Sequence, residues 1–245
     1  MRCRLLTINL FCPQKRLIVN NRHLIHPGPV ARVILLMGVQ RSGTNALFKS
    51  LSSSVAVRAY NESVDSPMFL DLDLRPEPEV RPVLESDPRP ALLKPISETR
   101  CRSVADVLDE WGRHDVRVVW TYRDPVNCYH SHIVRWAGFR GRPDAFAAQW
   151  EARNRSVLDA LASHGDRIAL VRYEDLAVDA GVLGDLCSFL GIPGCYLFRA
   201  DRAAGRQLVA PQEQRLIDGQ TGEVLAELDR NRRFAARPAV RPLDA

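Results

Sequence analysis

The sequence lacks the side-chain patterns that bind structural metals or cross-link small domains. Six cysteines occur in 245 residues, none in a CxxC pair and none beside a group of histidines. We therefore expect no metal and no disulfide framework, and reduced thiols are typical of the cytoplasm. Long apolar runs are also missing. The N-terminal run has about eight residues and is broken by Thr7 and Asn9, whereas a membrane-spanning helix needs about 20. We predict a soluble, cytoplasmic protein without a transmembrane segment.

Lysine is scarce, with 3 residues against 31 arginines. The net charge is +5 at pH 7, and the positive charges are spread along the chain. This mild bias is compatible with an anionic ligand and does not indicate nucleic-acid binding. Hydrophobic residues make up 46% of the chain, which is enough for the core of one α/β domain of this length.

Apolar runs alternate with helical patterns along the chain. The run VILLMGV is typical of a strand buried on both faces of a parallel sheet, and TNALFKSLS follows it as a helix. VAVRAY, ALLKP, VRVVWTY and IALVRY predict further strands. We predict an α/β fold, a P-loop-NTPase-like three-layer sandwich with a mainly parallel central sheet. Residues 1–30 form an extension that could contain a short strand at RLIVN, and 31–245 form a single domain. Residues 61–90, rich in Pro and Asp, predict a long loop with at most one short helix.

The loop after the first core strand has most of a phosphate-binding motif. Gly38 and Gly43 have the separation found in the Walker loop GxxxxGK[ST], but Thr44 and Asn45 stand where that loop has its lysine and hydroxyl residue. Backbone N–H groups at a helix N-terminus can still bind one phosphate. The residues concerned are Arg41, Ser42, Gly43, Thr44, Asn45 and Ala46. Without the lysine, the loop suits a ligand with a single 5′-phosphate. The alternative is a strand–loop–helix turn in which Gly43 serves only the backbone geometry.

A second candidate anion site follows the strand VRVVWTY. Arg123 ends this strand, and Ser131 lies eight residues later in a helix that Asp124 and Pro125 begin. The carboxyl ends of parallel strands bind ligands in open α/β sheets. An arginine with a serine hydroxyl can bind a second phosphate. The alternative is that Arg123 forms an ion pair with Asp124 or another nearby carboxylate.

Three stretches of the chain resemble a known family. VQRSGTNAL resembles the 5′-phosphosulfate loop of bacterial-type sulfotransferases that use 3′-phosphoadenosine 5′-phosphosulfate. TYRDPVNCYHS resembles their 3′-phosphate motif, and VRYEDL with the later FLGIP resembles their third recurring stretch. The resemblance covers roughly residues 32–193. It implies that residues 41–46 hold the 5′-phosphate, Arg123 and Ser131 hold the 3′-phosphate, and Tyr173 contacts the adenine.

The resemblance also implies catalytic roles. Arg41 would stabilise the leaving phosphate oxygen, and Lys94 would contact the bridging oxygen and the acceptor. Cytosolic members have a histidine two residues after this lysine, where this chain has Ile96. Other branches use a glutamate after the second strand, so Glu62 is the candidate base and Asp65 the reserve. The alternatives are a solvated loop carboxylate for Glu62 and a surface lysine for Lys94.

The remaining expectations concern the rest of the cleft. Arg202 and Arg206, in RADRAAGRQ, are expected to close over the 3′-phosphate, and residues 71–82 to form part of the acceptor pocket or a lid. His130 and His132 are expected to face the core or solvent. The acceptor would be a hydroxyl or amine of a small molecule, carbohydrate or lipid. A small-molecule P-loop kinase and a non-catalytic nucleotide-binding protein are the alternative functions.

Overall fold

The computed structural model describes residues 17–18, 31–63, 66–95, 102–199 and 205–236. The strands in these parts are β1 (Leu17–Ile18), β2 (Arg32–Gly38), β3 (Arg58–Asn61), β4 (Phe69–Leu70), β5 (Asp73–Leu74), β6 (Ala91–Lys94), β7 (Asp115–Tyr122), β8 (Ile168–Arg172) and β9 (Gly194–Cys195). The helices are α1 (Thr44–Leu51), α2 (Glu77–Glu85), α3 (Val104–Glu110), α4 (Pro125–Arg135), α5 (Pro143–His164), α6 (Tyr173–Val178), α7 (Ala180–Leu190) and α8 (Pro211–Asn231), with a 3-10 turn at Arg206–Leu208.

Five strands form a parallel central sheet in the order β3-β6-β2-β7-β8. β2 lies in the middle and pairs with β7 along its whole length, from Arg32 opposite Asp115 to Gly38 opposite Thr121. Because all five strands run the same way, their carboxyl ends lie along one edge of the sheet. The prediction of a mainly parallel α/β sheet is confirmed.

The two faces of the sheet are covered by separate hydrophobic clusters. Val33, Leu35 and Met37 of β2 pack in the cluster that contains residues of α3, α4, α5 and α8. Ile34 and Leu36 point to the other face and pack with residues of α1, α6 and α7. This alternation within one strand follows from the two-residue period of side-chain direction. It produces the predicted three-layer arrangement.

Two sequence predictions for residues 55–90 are corrected. The strand predicted over VAVRAY begins only at Arg58, because its pairing with β6 starts opposite Ala91, and Val55 lies in an exposed turn. Residues 61–90 contain the short helix that the sequence allowed, but they are not otherwise one long loop. They contain the antiparallel hairpin β4–β5 and the nine-residue helix α2.

Helix α4 begins as predicted. The Asp124 carboxylate accepts a hydrogen bond of 2.9 Å from the Asn127 N–H, and Pro125 is the first helical residue. This cap fixes the direction in which α4 leaves the end of β7. It thereby sets where Ser131 lies relative to Arg123.

A separate two-stranded sheet joins β1 and β9. The short strand predicted at RLIVN is present as β1, whose backbone pairs antiparallel with β9. Across the ranges that the structure describes, no helix has the length and apolar character needed to cross a bilayer.

Candidate active site

A cleft of about 810 Å³ opens at the carboxyl edge of the central sheet. It lies where the loop after β2, the ends of β6 and β7, and the start of α6 approach one another. The cleft is lined by ten of the residues that the sequence predicts for the site: Arg41, Gly43, Thr44, Asn45, Ala46, Glu62, Lys94, Arg123, Ser131 and Tyr173. The topology therefore brings together motifs that are far apart in the chain.

The loop after β2 needs glycine at both ends. Gly38 and Gly43 have φ values of 147° and 104°, in the region that favours glycine. A Cβ at Gly38 would overlap the Thr121 carbonyl oxygen, and one at Gly43 would overlap the Tyr173 ring. Arg41 also has a positive φ, 73°. Alternating backbone conformations of this kind turn successive N–H groups towards one side and form a concave anion-binding nest.

The set of N–H donors is smaller than the sequence predicts. The Ser42 N–H donates to the Val39 carbonyl at 3.0 Å, and the Ala46 N–H donates to the Gly43 carbonyl at 3.0 Å. The Ser42 hydroxyl is buried and lies 3.0 Å from the Thr121 hydroxyl. Ser42 therefore braces the loop against β7. We therefore limit the predicted phosphate donors to the N–H groups of residues 41 and 43–45. Thr44 and Asn45 lie in the first turn of α1, where backbone N–H groups have no partner within the helix.

Arg41 joins the loop to helix α4. Its Nε donates a hydrogen bond of 3.0 Å to the Ser131 hydroxyl, and its guanidinium lies 5.3 Å from the centre of the Trp136 ring. Burial lowers the pKa of Arg41, and the nearby Arg123 and Arg135 act in the same direction. Arginine nevertheless keeps its charge in proteins, so several cations share this side of the cleft.

Arg123 is held at the end of β7 by an aromatic ring and a carboxylate. Its guanidinium lies 4.9 Å from the centre of the Tyr173 ring, and its Nε lies 3.9 Å from Glu174 Oε1. Glu174 is tied to this region because it also accepts a hydrogen bond from the Asp124 N–H at 3.2 Å. Burial raises the pKa of Glu174, while Arg172 and Arg123 oppose that rise. Tyr173 is largely buried between Gly43 and Arg123.

Glu62 and Lys94 face each other across the ends of β3 and β6. The Lys94 Nζ lies 3.6 Å from Glu62 Oε1. The lysine side chain is 4% exposed and the glutamate 23% exposed, so Lys94 is not a surface lysine. Burial lowers the pKa of Lys94, and Glu62 opposes this change. Both side chains line the cleft.

Other predicted residues lie elsewhere. Arg206 is held by two carboxylates, Asp124 at 3.3 Å and Asp218 through a bidentate contact, and it does not line the cleft. Asp65 and Arg202 lie outside the described residues. Residues 71–82 do not line this cleft. Leu74, Val80 and Leu84 pack into the hydrophobic cluster on one face of the sheet, and a place for this segment in the acceptor pocket or a lid stays a prediction.

Sequence reasoning missed several residues of the cleft: Lys49, His130, Val134, Arg135, Trp136, Leu197, Phe198 and Arg199. His130 was expected to face the core or solvent, whereas it lines the cleft. Arg135 could have been found, because it lies four residues after Ser131 on the same helix face. The segment 197–199 carried no periodic or motif signal.

Metal-binding side chains do not cluster in the described ranges, where no group of three or more His, Cys, Asp or Glu residues could hold an ion. Cys128 lies below the cleft and donates from Sγ to the Gln40 carbonyl at 3.2 Å. Burial raises the pKa of Cys128 to about 12. Since the thiolate is the nucleophilic form, this thiol serves packing and not chemistry.

Comparison with known proteins gives one family and one fold. A profile described as "Sulfotransferase family" matches residues 114–195, which include β7, Arg123, α4 and the VRYEDL stretch. No curated protein sequence matches the chain.

Several solved structures share the fold. A sulfotransferase from Alicyclobacillus acidocaldarius is 17% identical with a TM-score of 0.54, over 80% of this chain and 94% of that one. The sulfotransferase domain of the curacin biosynthetic pathway is 16% identical with a TM-score of 0.53, over 86% and 100%. The sulfotransferase STF9 from Mycobacterium avium is 16% identical with a TM-score of 0.52, over 86% and 79%. At this identity the likeness shows the fold, and the sulfotransferase profile matches residues 114–195 of the chain.

Proposed function

We propose that this protein transfers a sulfuryl group from 3′-phosphoadenosine 5′-phosphosulfate to a hydroxyl or amine of a small-molecule, carbohydrate or lipid acceptor. The observation that carries the proposal is the hydrogen bond between Arg41 and Ser131. It joins a phosphate loop without a Walker lysine to the helix that begins just after Arg123. One cleft thus contains two separate cationic sites, as a ligand with separate 5′- and 3′-phosphates requires.

The described residues fit the two phosphates of this donor. The concave backbone at 43–45, with Arg41, would hold the 5′-phosphate. Arg123 and Ser131 would hold the 3′-phosphate through charge-assisted hydrogen bonds. Tyr173 packs against Gly43 and Arg123, so we propose that only its outer edge reaches the adenine. Roles for Arg202 and Arg206 in covering the 3′-phosphate remain predictions.

Bound in this cleft, the donor supplies an electrophilic sulfuryl group on its 5′-phosphate. As the acceptor oxygen or nitrogen bonds to sulfur and the bond from sulfur to the phosphate oxygen breaks, Arg41 and the loop N–H groups would stabilise the negative charge on that phosphate oxygen. Lys94, which is buried, would stabilise the same oxygen. Glu62 would accept the proton of the acceptor hydroxyl or amine, a contribution of about two to four orders of magnitude in rate. Lys94 orients this carboxylate, since the two groups lie 3.6 Å apart.

Ligand discrimination tests the two-phosphate assignment. We expect adenosine 3′,5′-bisphosphate to bind about tenfold or more tightly than AMP in calorimetry, since a charged hydrogen bond contributes about 1.5–3 kcal/mol. Arg123→Gln should remove this preference and leave AMP binding unchanged. Arg113→Gln, an exposed arginine at the opposite edge of the sheet, is the matched control. Tight binding of ATP with magnesium, and weak binding of the bisphosphate, would instead support a small-molecule kinase.

Transfer of radiolabelled sulfate from the donor to a panel of acceptors tests the catalytic assignment. Glu62→Gln should lower the turnover number about 10²–10⁴-fold while the bisphosphate affinity stays near the wild-type value. Glu85→Gln, exposed at the end of α2, is the control carboxylate. A mutant as active as the wild type removes Glu62 from the role of base. Wild-type protein that binds the bisphosphate but transfers to no acceptor supports a non-catalytic nucleotide-binding protein.

A further inference from the structure

The cleft contains more positive charge than the donor sites use. Among the described residues, its ionised side chains are Arg41, Lys49, Lys94, Arg123, Arg135 and Arg199 against the single carboxylate of Glu62. Glu62 is already close to Lys94. A cleft lined by charges of one sign concentrates potential and attracts ligands of the opposite sign. The cations outside the donor sites can therefore attract the acceptor, which is the second substrate.

Three of these cations have no role in the proposed donor site. Lys49, Arg135 and Arg199 have no carboxylate oxygen within 4.0 Å in the described parts of the chain. Lys49 and Arg199 extend from the side of the cleft formed by α1 and the segment after β9. Arg135 differs from them because apolar side chains flank it on both sides.

Arg135 lies one helical turn beyond Ser131. The separation of four residues puts both on the same face of α4, about 6 Å apart along the axis. Its neighbours Val134 and Trp136 are 70% and 42% exposed and also line the cleft. The Trp136 ring lies 5.3 Å from the Arg41 guanidinium. An exposed apolar surface thus extends from the proposed transfer site to an arginine at the rim.

We propose that residues 134–136, the rim shelf, bind the acceptor, and that the acceptor is an amphipathic anion. Its flat apolar part packs against Trp136, and its carboxylate, phosphate or sulfate group pairs with Arg135. This assignment rests on the proposed sulfotransferase function. A guanidinium binds planar anions through paired hydrogen bonds, and the adjacent ring supplies the apolar contact that small-molecule sites require.

A matched pair of ligands tests the assignment by equilibrium binding. Wild-type protein is first saturated with adenosine 3′,5′-bisphosphate, and 2-naphthol or 6-hydroxy-2-naphthoate is then titrated in a calorimeter. The two naphthols differ only in the carboxylate. We expect the naphthoate to bind about tenfold more tightly, the low end of what a charge-assisted hydrogen bond contributes. The preference should fall as ionic strength rises, because the rim is exposed.

Three variants separate the contributions. Arg135→Gln should weaken naphthoate binding about tenfold and leave naphthol binding unchanged. Trp136→Ala should weaken both compounds to a similar extent, because both lose the apolar contact. Arg142→Gln is the matched control, since Arg142 is exposed seven residues after Arg135 but does not line the cleft. It should bind both compounds like the wild type.

The outcomes distinguish this inference from the function on which it rests. Failure of the bisphosphate itself to bind rejects the proposed function and this inference together. If the bisphosphate binds but the two naphthols bind equally, or neither binds, the rim-shelf assignment alone is wrong. It is equally wrong if the preference for the naphthoate survives Arg135→Gln or is lost in Arg142→Gln.

Discussion

The Nε of Arg41 donates a hydrogen bond of 3.0 Å to the hydroxyl of Ser131, a residue 90 positions later in the chain. The bond connects the loop after β2 to the middle of α4, the helix that follows the neighbouring parallel strand β7. Each residue belongs to a different predicted anion motif, so we expect a change at one motif to affect the other. The two proposed phosphate sites should therefore be coupled through this bond.

Mutation of both partners should reveal this coupling. Ser131→Ala and Arg41→Gln should each weaken the binding of adenosine 3′,5′-bisphosphate, the first by about 3–10-fold, because a hydrogen bond contributes about 0.5–1.5 kcal/mol. In the double variant the losses should not add. We expect a coupling free energy of about 0.5–1.5 kcal/mol from the four dissociation constants, as found for residues in contact. Strictly additive losses would show that the bond does not organise the bound state.

The sequence predicts the meeting of these motifs because parallel strands fix where their ends lie. Arg123 ends β7, Lys94 ends β6, and the glycine loop follows β2, so an α/β assignment alone brings them to one edge. Their side-chain types then predict an anion site without any knowledge of distances. This part of the site depends on the order of strands and helices, which the periodicity of apolar residues in the sequence predicts well.

Other features depend on contacts that no local pattern reports. The Ser42 side chain points inward because its hydroxyl forms a hydrogen bond with the hydroxyl of Thr121 on the neighbouring strand β7. Arg206 lies outside the cleft because Asp218, on α8, captures its guanidinium together with Asp124. Each depends on a partner far away in the chain or on the detailed direction of a tight turn. Single-residue propensities carry neither kind of information, so the sequence predicts neither the inward turn of Ser42 nor the ion pairs of Arg206.

The titration of Lys94 should report its burial beside Glu62. Burial lowers the pKa of Lys94 and Glu62 raises it, so Glu62→Gln should lower it further. In the variant, Lys94 should lose its proton at a lower pH than in the wild type. The chain has only three lysines, so selective ¹³C labelling of the lysine ε-carbon gives few signals to assign in an NMR titration. Identical Lys94 titration curves in the two proteins would contradict the pairing.

Glycines in the chain should respond to alanine in opposite ways according to their surroundings. Gly219 and Gly222 are exposed within α8, and an added Cβ would meet no atom within 4 Å. Gly219→Ala and Gly222→Ala should each raise the free energy of unfolding by about 0.5–1 kcal/mol, because glycine loses more backbone entropy on helix formation. Gly43→Ala should lower it, since the methyl group would overlap the Tyr173 ring at a positive φ.

Urea unfolding measures all three glycine variants. Gly43→Ala should also lose most of its affinity for adenosine 3′,5′-bisphosphate, while the two α8 variants keep it. Destabilisation by either α8 substitution would mean that this helix is not continuous in solution through residues 219–222.

Acid should destabilise the protein through Glu77, which is buried far from the cleft. Its carboxylate accepts hydrogen bonds from Arg81 at 2.9 and 2.6 Å and lies 2.7 Å from His114 Nε2. Hydrogen bonding by Arg81, and then by His114, lowers the pKa of Glu77 to about 2 despite the opposing effect of burial. An unfolded glutamate has a pKa of about 4.3. The stabilisation is therefore present above about pH 5 and is lost as the pH falls towards 2.

Urea unfolding of wild type and Glu77→Gln at pH 7, 5, 4 and 3 measures this loss. Glu77→Gln should be less stable than the wild type at pH 7, since Arg81 and the buried His114 lose their charged partner. Below pH 5 the wild type should lose stability more steeply, so that the difference between the two proteins shrinks, because the wild-type carboxylate takes up a proton on unfolding and the amide does not. Glu85→Gln, exposed on the same helix, should follow the wild-type curve. A constant difference between wild type and Glu77→Gln across this range would show that Glu77 titrates alike in the folded and unfolded chains.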